Sequence, residues 1–512
     1  MTARTSLPDV PDFDVRDQSL FDALQAKLAP LWTSIRKLSR DEQTIVVVPS
    51  IDVDAEMRGS EMQAYEERFL FLLLLLRQPR ARMVYVTGQA IHPSVIDYYL
   101  DLMPGVISSH ARKRLFLLSP LDASPRPLAA KLLERPRMLA ALRALVPDPE
   151  RAHLVPYATT WADRELAMRL GIPMYGNDPR LEHLGTKSSS RRLFREERVP
   201  HPVGREDLAT EDDLVAAVVA TRREAPGARR LVIKLNEGVS GIGNANLDIT
   251  GLPPPGSPGE ALAVRKSLPQ MKFESKALAY PRFLEKLAEQ KGIVEERIEA
   301  DEIRSPSVQL RITPLGEMEL LSTHDQLLGG PSGQSYLGCR FPADEAYAAT
   351  ISREAAKVGR RLVKEGVLGR FAFDFVVARA KGGHWKAYAI ELNLRKGGTT
   401  HPFLTLQFLT DGQYDAETAQ FTAPDGRRKF FVASDHVEDP RYRGLTPEDL
   451  IDLALRHGLH FDQSRLTGIA LHMMSALPEC GRTGLTAVAD SPAEAEALYR
   501  KFLDVLAEET TP

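Results

Sequence analysis

Ile390-Glu391-Leu392-Asn393-Leu394-Arg395 is the stretch that decides the fold, read together with Phe371-Ala372-Phe373-Asp374-Phe375-Val376-Val377 upstream. Both runs have the character of strands. Alternation then puts Glu391, Asn393 and Arg395 on one face, and Asp374 on a face with Ala372 and Val376, opposite Phe373 and Phe375. The short Lys381-Gly382-Gly383 segment between them suits a tight connection, which predicts antiparallel neighbours. Two carboxylates and an amide oxygen converging from adjacent strands form a hard, oxygen-rich site of the kind Mg²⁺ accepts. Asp374, Glu391 and Asn393 are the candidate metal ligands, and a nucleotide-using site is the reading that organises the rest of the chain.

A chain of 512 residues exceeds one ordinary domain and predicts about two to four. The composition is globular, 43% apolar and 26% charged, and the formal net charge of -3 leaves no basic footprint for nucleic acid. Cys339 and Cys480 are the only cysteines; they allow at most one bridge and have no metal-ligand spacing, which favours a reducing cytoplasm. The apolar run 69–76 is eight residues long, against the roughly 20 needed to cross a bilayer, and reads as a buried helix face. The N-terminus lacks the basic and apolar regions of a secretory signal. The expectation is a cytoplasmic protein with no membrane partner.

Strand and helix patterns alternate through the first third: strands at 44–48, 83–87, 115–118, 153–156 and 172–175, helices at 61–77 and 161–170. That order predicts a parallel, doubly wound α/β domain, without the G-x-G-x-x-G of a dinucleotide site. Residues 176–183 read as a connector and 186–198 as a helix; strands follow at 231–235, 293–298, 307–313 and 317–322, and a long helix at 344–365. Gly251–Gly259 and 416–428 read as exposed loops or insertions. From about residue 446 a helix, a strand and a helix (447–457, 468–473, 492–507) predict a small α/β appendage, its last helix opened by Ser491 and Pro492. The resulting plan is 1–178, 179–430 with an insertion near 250–290, and 431–512.

Several further residues carry chemistry. Lys234 projects from the strand 231–235, opposite Ile233 and Leu235, just before the loop Gly238-Val239-Ser240-Gly241-Ile242-Gly243, whose backbone amides suit phosphate oxygens. Without a closing Gly-Lys-Ser/Thr this is not a P-loop. Lys187 stands at a helix start, where the dipole disfavours a cation, and is a candidate second phosphate ligand. Glu295-Glu296 reads as a hinge whose backbone hydrogen-bonds an adenine edge, with Glu296 and either Asp301 or Glu302 for the ribose hydroxyls. Arg311 shares a face with Gln309 and Thr313 and, if that face looks into the nucleotide cleft, is a candidate for stabilising a transferred phosphate. The glycine-rich segment 328–338 is a candidate lid, and His324-Asp325 a possible substrate contact.

In this order, Lys187, Lys234 with its glycine loop, Glu295-Glu296, Asp374 and Glu391-x-Asn393 resemble the ATP-grasp superfamily of carboxylate–amine ligases across roughly 171–409. A narrower resemblance, to ATP-grasp peptide ligases of the pheganomycin-biosynthesis type, rests on Ser322-Thr323-His324-Asp325-Gln326, on Tyr336-Leu337-Gly338-Cys339-Arg340-Phe341-Pro342 and on Asn393 through Pro402, with Thr467-Gly468 and His472-Met473 near the end. The resemblance implies a pre-ATP-grasp domain, a two-lobed ATP-grasp fold and a small C-terminal domain. It also implies ATP with Mg²⁺ (two ions, Mn²⁺ as an alternative), an acyl phosphate joined to an amine or peptide, and the homodimers common in the family. One departure is Ala372, which stands where D-alanine–D-alanine ligases carry an arginine; Arg311, Arg370 or Arg395 would take that role. Two other readings are a biotin-carboxylase-like enzyme, which Glu391-x-Asn393-x-Arg395 with His401-Pro402 also resembles, and a non-catalytic ATP-binding regulatory protein.

Overall fold

The computed structural model describes residues 14, 16–36, 42–51, 59–238, 243–275, 278–329, 333 and 335–510. Near its N-terminus a parallel sheet runs Leu115–Leu118, Ala81–Val86, Gln43–Val48, Ala152–Pro156 in spatial order. Its strands are apolar on both faces because both are covered. Val46, Val48, Val84 and Val86 pack into one cluster, and Ile45, Val47, Met83 and Tyr85 into another. This is the doubly wound layer expected from the sequence. The run 61–77 is not one helix: an α-helix Ser60–Glu67 gives way to a 3₁₀ segment Leu70–Arg77. The leucines are apolar all round and are buried on nearly every side, so tertiary packing rather than an amphipathic stripe sets their geometry.

The second layer is an antiparallel five-stranded sheet in the order Gly204–Leu208, Gly292–Glu296, Arg230–Leu235, Asn244–Asp248, Lys272–Phe273. The supposed insertion near 250–290 is structured, with helices Glu260–Ser267 and Tyr280–Gln290 backing this sheet.

The third is a nine-stranded sheet. Gly369–Arg379 lies between Pro306–Ile312 and Lys386–Asn393, antiparallel to both, as the short connection at 381–383 predicts. Phe371, Phe373, Phe375 and Val377 bury one face against the helix Glu345–Lys364. That helix presents Tyr347, Ala348, Ile351, Ala355, Val358 and Leu362 at helical spacing, and Asp344 caps it by accepting from the Ala346 N–H. Asp374 is thereby turned to the other face. Within the segment 328–338, residues 328–329 and 335–338 are strand: Met318–Gly329 pairs with Ser335–Phe341, and of the residues between, only Gly333 is described. The segment 416–428 carries a strand of a small hairpin, Gln413–Asp415 with Gln420–Thr422.

The C-terminal strands do not build a sheet of their own. Phe430–Glu438, Arg482–Ala489 and Gly468–His472 extend the nine-stranded sheet beyond Ser335–Phe341. A buried ionic node joins segments far apart in the chain: one oxygen of Asp435 takes Arg68, and the other lies 3.0 Å from His401 Nε2 and 2.9 Å from His472 Nε2. The Arg68 guanidinium already balances this carboxylate.

Beside the node, Glu66 and Glu67 are buried, and burial pushes both carboxyl groups up to about 7 despite the Gly88 amide on Glu66 and Ser475 on Glu67. Such a group favours the fold fully below its unfolded pKa near 4.5 and loses that contribution as pH climbs through about 7. For Glu67 the loss is on the order of 3 kcal/mol. Glu67→Gln keeps the contact with Ser475 and stays neutral. Its melting temperature, followed by scanning fluorimetry from pH 5 to pH 8, is expected to fall less than that of the wild type; equal slopes would contradict the assignment.

Candidate active site

Asp374 sits directly opposite Glu391 in the strand register, and Ala372 opposite Asn393. A bulge between Asp374 and Phe375 leaves Ile390 unpaired and lets Glu391 and Asn393 face the same side as Asp374. The Asn393 side chain donates from Nδ2 to Asp374 Oδ2 at 2.7 Å, which leaves its amide oxygen free, and Gln326 Nε2 donates to Asp374 Oδ1 at 2.6 Å. Burial first, and then the charge of Glu391, raises the Asp374 carboxyl to about 6. Burial also pushes Glu391 upward, but Lys187, Lys234 and Arg395 outweigh it and hold that carboxyl below its ordinary value. Two facing carboxylates, a spare amide oxygen and mutual repulsion between the acids fit a divalent cation.

The cations come from the five-stranded sheet and from the helix Lys187–Glu196, which starts beside it. Thr186 caps this helix by accepting from the Ser189 N–H, and Ser188 donates through its N–H and hydroxyl to Asn236 Oδ1 at 2.9 and 2.8 Å. These bonds set Lys187 next to the end of the Lys234 strand. On its other side the helix closes the edge of Lys386–Asn393, where Ser190 Oγ accepts from the Leu392 N–H and Phe194 packs 6.3 Å from the Phe373 ring. Lys187 Nζ consequently stands 3.3 Å from Glu391 Oε1, and Lys234 Nζ 2.5 Å from Glu295 Oε1. Arg395 is electrostatically coupled to both Asp374 and Glu391 and makes no ion pair among the described residues; its one hydrogen bond here goes from Nη1 to the Lys396 carbonyl, 3.2 Å.

The hinge residues divide. Glu295 turns its side chain into the core, 2% exposed, between Lys234 and Arg191 (3.1 Å), so its carboxylate serves the lysine. Glu296 is engaged with Val203, whose N–H its carboxylate accepts at 2.9 Å. Glu302 pairs with Arg379 at 2.7 Å and Asp301 accepts from the Lys381 N–H, which places both candidate ribose acids at the rim formed by the 379–383 turn. Gly238 and Gly243 flank the loop with positive φ angles of 154° and 91°; Ser240 and Gly241 lie outside the described residues.

Arg311 is not brought to this cluster. It is directly opposite Arg370 in the register, four residues from the Ser307–Asp374 pair, and is held by Glu319 (Nε to Oε2, 2.8 Å) with its guanidinium over the Trp32 ring. His324 is no substrate contact either. It is fully buried among Phe341, Phe403 and Phe431, while Asp325 accepts from the Tyr347 hydroxyl at 2.6 Å.

Sequence reasoning passed over residues that the fold recruits. Gln326 is one, its signal being alternation from Ser322 and His324. Gln309 is another: it donates to Thr399 Oγ1 at 2.7 Å and accepts from Thr400 Oγ1 at 3.2 Å, pinning the loop that follows Asn393. Gly398 in that loop lies so close to the Tyr336 ring that a Cβ there would come within 2.5 Å of it.

A profile of the family described as IQCH-like, ATP-grasp matches residues 179–257 and 263–417, and one described as PGM1 C-terminal domain matches 449–502. The chain is 32% identical over 444 residues to an L-propargylglycine–L-glutamate ligase of Streptantibioticus cattleyicolor, covering 85% of this chain and 87% of that protein. It is 25% identical to the IQ motif-containing protein H of Danio rerio, over 80% of this chain and 42% of the relative. Solved structures share the fold at low identity. A biotin carboxylase from Campylobacter jejuni superposes with a TM-score of 0.53 at 14% identity, over 92% of both chains. The biotin carboxylase domain of Hydrogenobacter thermophilus 2-oxoglutarate carboxylase gives 0.54 at 13%, over 90% and 89%.

Proposed function

The chain belongs to the ATP-grasp family of carboxylate–amine ligases, and from that premise we propose that it joins two amino acids, or an amino acid and a peptide, through an amide bond. It is an ATP-dependent ligase that uses ATP and Mg²⁺ as the family does. The observation that carries the detailed reading is the juxtaposition of Asp374 and Glu391 with Lys187 3.3 Å away.

In this reading Asp374, Glu391 and the Asn393 amide oxygen hold the metal, as two ions, with Gln326 fixing Asp374. Mg²⁺ would supply positive charge against the negative charge of the phosphates, and ATP the phosphoryl group that turns an unreactive carboxylate into an acyl phosphate. Lys187 and Lys234 neutralise the phosphate tail, and the backbone about Gly238 and Gly243 lies over it. Arg395, which makes no ion pair among the described residues, steadies the charge that develops as the phosphoryl group moves. The hairpin of Met318–Gly329 and Ser335–Phe341 reaches the cluster through Gln326 and is the element that would exclude water from the intermediate. The division at 178 and 430 is kept as the working domain plan, and a cytoplasmic location accords with two free cysteines. Among the described residues no helix is long and apolar enough to cross a membrane.

L-Glutamate with L-propargylglycine is the first substrate pair to try, as those of the bacterial relative, followed by pooled amino acids and peptides. ADP release that rises with added amine, together with a hydroxamate when hydroxylamine replaces the amine, is the expected result. ADP release that depends on bicarbonate instead would favour the carboxylase-like reading.

A further inference from the structure

His401, Asp435 and His472 come together from three elements: the start of the helix Thr400–Thr410, the strand Phe430–Glu438 and the end of the strand Gly468–His472. Each is more than nine-tenths buried, at 3%, 2% and 4% exposed. Both imidazoles bring Nε2 to one carboxylate oxygen, Oδ1, at 3.0 and 2.9 Å, and the three ligand atoms lie within 4.8 Å of one another. Hydrogen bonding accounts for only half of this. His472 Nε2 is in hydrogen-bond geometry with Oδ1, whereas His401 Nε2 is buried and has no hydrogen-bond partner among the described residues, so its ring nitrogen is directed past the carboxylate. A polar atom left unpaired in the interior is costly. The two rings stand edge to face with centroids 4.5 Å apart, and Gly484 makes room for His472: a Cβ at that glycine would come within 2.2 Å of the ring.

Two imidazoles and a carboxylate are a donor set for a first-row transition-metal ion rather than for Mg²⁺ or Ca²⁺. Donors about 2.1 Å from one ion stand about 3.0 to 3.4 Å apart across angles of about 90 to 109°. The two nitrogen–oxygen separations at Asp435 fall at the short end of that range. We propose that His401, Asp435 and His472 bind one divalent ion of this class, Zn²⁺ foremost, as a structural site separate from the metal acids Asp374 and Glu391. Arg68 occupies Oδ2, as the outer partner that orients a ligating carboxylate, and leaves Oδ1 to the ion. Glu67, which precedes Arg68 and bonds Ser475, is a buried acid with no cation beside it among the described residues, and it offers the negative charge that a divalent ion next to Arg68 calls for. The ion would fasten the helix that follows the Asn393 loop to the strands that prolong the central sheet. The assignment is independent of the ligase reading.

The test uses tag-free full-length protein without nucleotide. It is stripped with a chelator, then dialysed against Zn²⁺, Mn²⁺ or Co²⁺ separately, with Mg²⁺ in excess to occupy the oxygen donors at Asp374 and Glu391. Ion content is read by mass spectrometry, and stability by scanning fluorimetry. The wild type is expected to retain about one ion per chain and to melt higher with it than without it. His472→Gln, which keeps a donor for Asp435, should lose the ion and melt at the same temperature with or without added metal. The Zn²⁺ X-ray absorption spectrum of the wild type should show two imidazoles in the coordination shell. A wild type that retains no ion and melts alike in both states would overturn the assignment and leave the histidines as partners of Asp435 alone. Equal ion content in His472→Gln, or a shell of oxygen atoms only, would also overturn it. Where His472→Gln fails to fold, the wild-type absorption spectrum decides by itself.

Discussion

Glu391→Gln is expected to abolish ligation, lowering amine-dependent ADP release by roughly a thousandfold while the protein stays folded. The substitution conserves shape and removes one charge from the point where three constraints meet. Glu391 faces Asp374 across the strand pair, takes Lys187 at 3.3 Å, and is held ionised by Lys187, Lys234 and Arg395. A neutral amide would leave one carboxylate to hold a divalent cation and would free Lys187 from its partner. The fold has little reason to suffer, because Glu391 lies on the face opposite Phe371, Phe373 and Phe375 and the neighbouring Leu392 keeps its core contacts. Coupled measurement of ADP with a melting curve of the same preparation separates the outcomes. Ordinary turnover in a well-folded variant would remove Glu391 from the metal site.

The convergence of Asp374, Glu391 and Asn393 was legible in the sequence because strand alternation is a local rule: it follows from two short runs and a glycine turn. The lysines were legible as candidates, yet sequence could not show that each arrives with a carboxylate, Lys187 with Glu391 and Lys234 with Glu295, since these pairs form across elements far apart in the chain. Arg311 was misleading for a related reason. Its face was read correctly, but its position along that face depends on the register with Gly369–Arg379, which carries it to Glu319 and Trp32. Arg370, named with Arg311 and Arg395 for a phosphate role, lies directly opposite Arg311 by the same register. The C-terminal segment shows the limit for the fold: its strands and helices were visible, but nothing local says that Phe430–Glu438 pairs with Ser335–Phe341 and so prolongs the central sheet.

Lys234→Met is expected to raise the KM for ATP by about a hundredfold, the loss of one charge-assisted phosphate contact in a buried site, and by itself it is an ambiguous experiment. Lys234 is 6% exposed and Glu295 2% exposed, and they pair at 2.5 Å, with Arg191 the other cation on that acid among the described residues. Removing the lysine leaves a half-compensated carboxylate in the interior, and breaking such a pair costs about 3–5 kcal/mol. Lost activity could then mean lost fold. The double variant Lys234→Met with Glu295→Gln separates the two, because the orphaned charge goes with its partner. Melting temperature should drop sharply in the single variant and recover much of the loss in the double one, whereas the raised KM should persist in both. A double variant that binds ATP with the wild-type KM would make Lys234 a structural residue whose only duty is to neutralise Glu295. Persistence of the defect would mean that the lysine exchanges one anion for another, held by Glu295 until phosphate oxygens compete for it, which gives the buried acid a reason to sit beneath a nucleotide site.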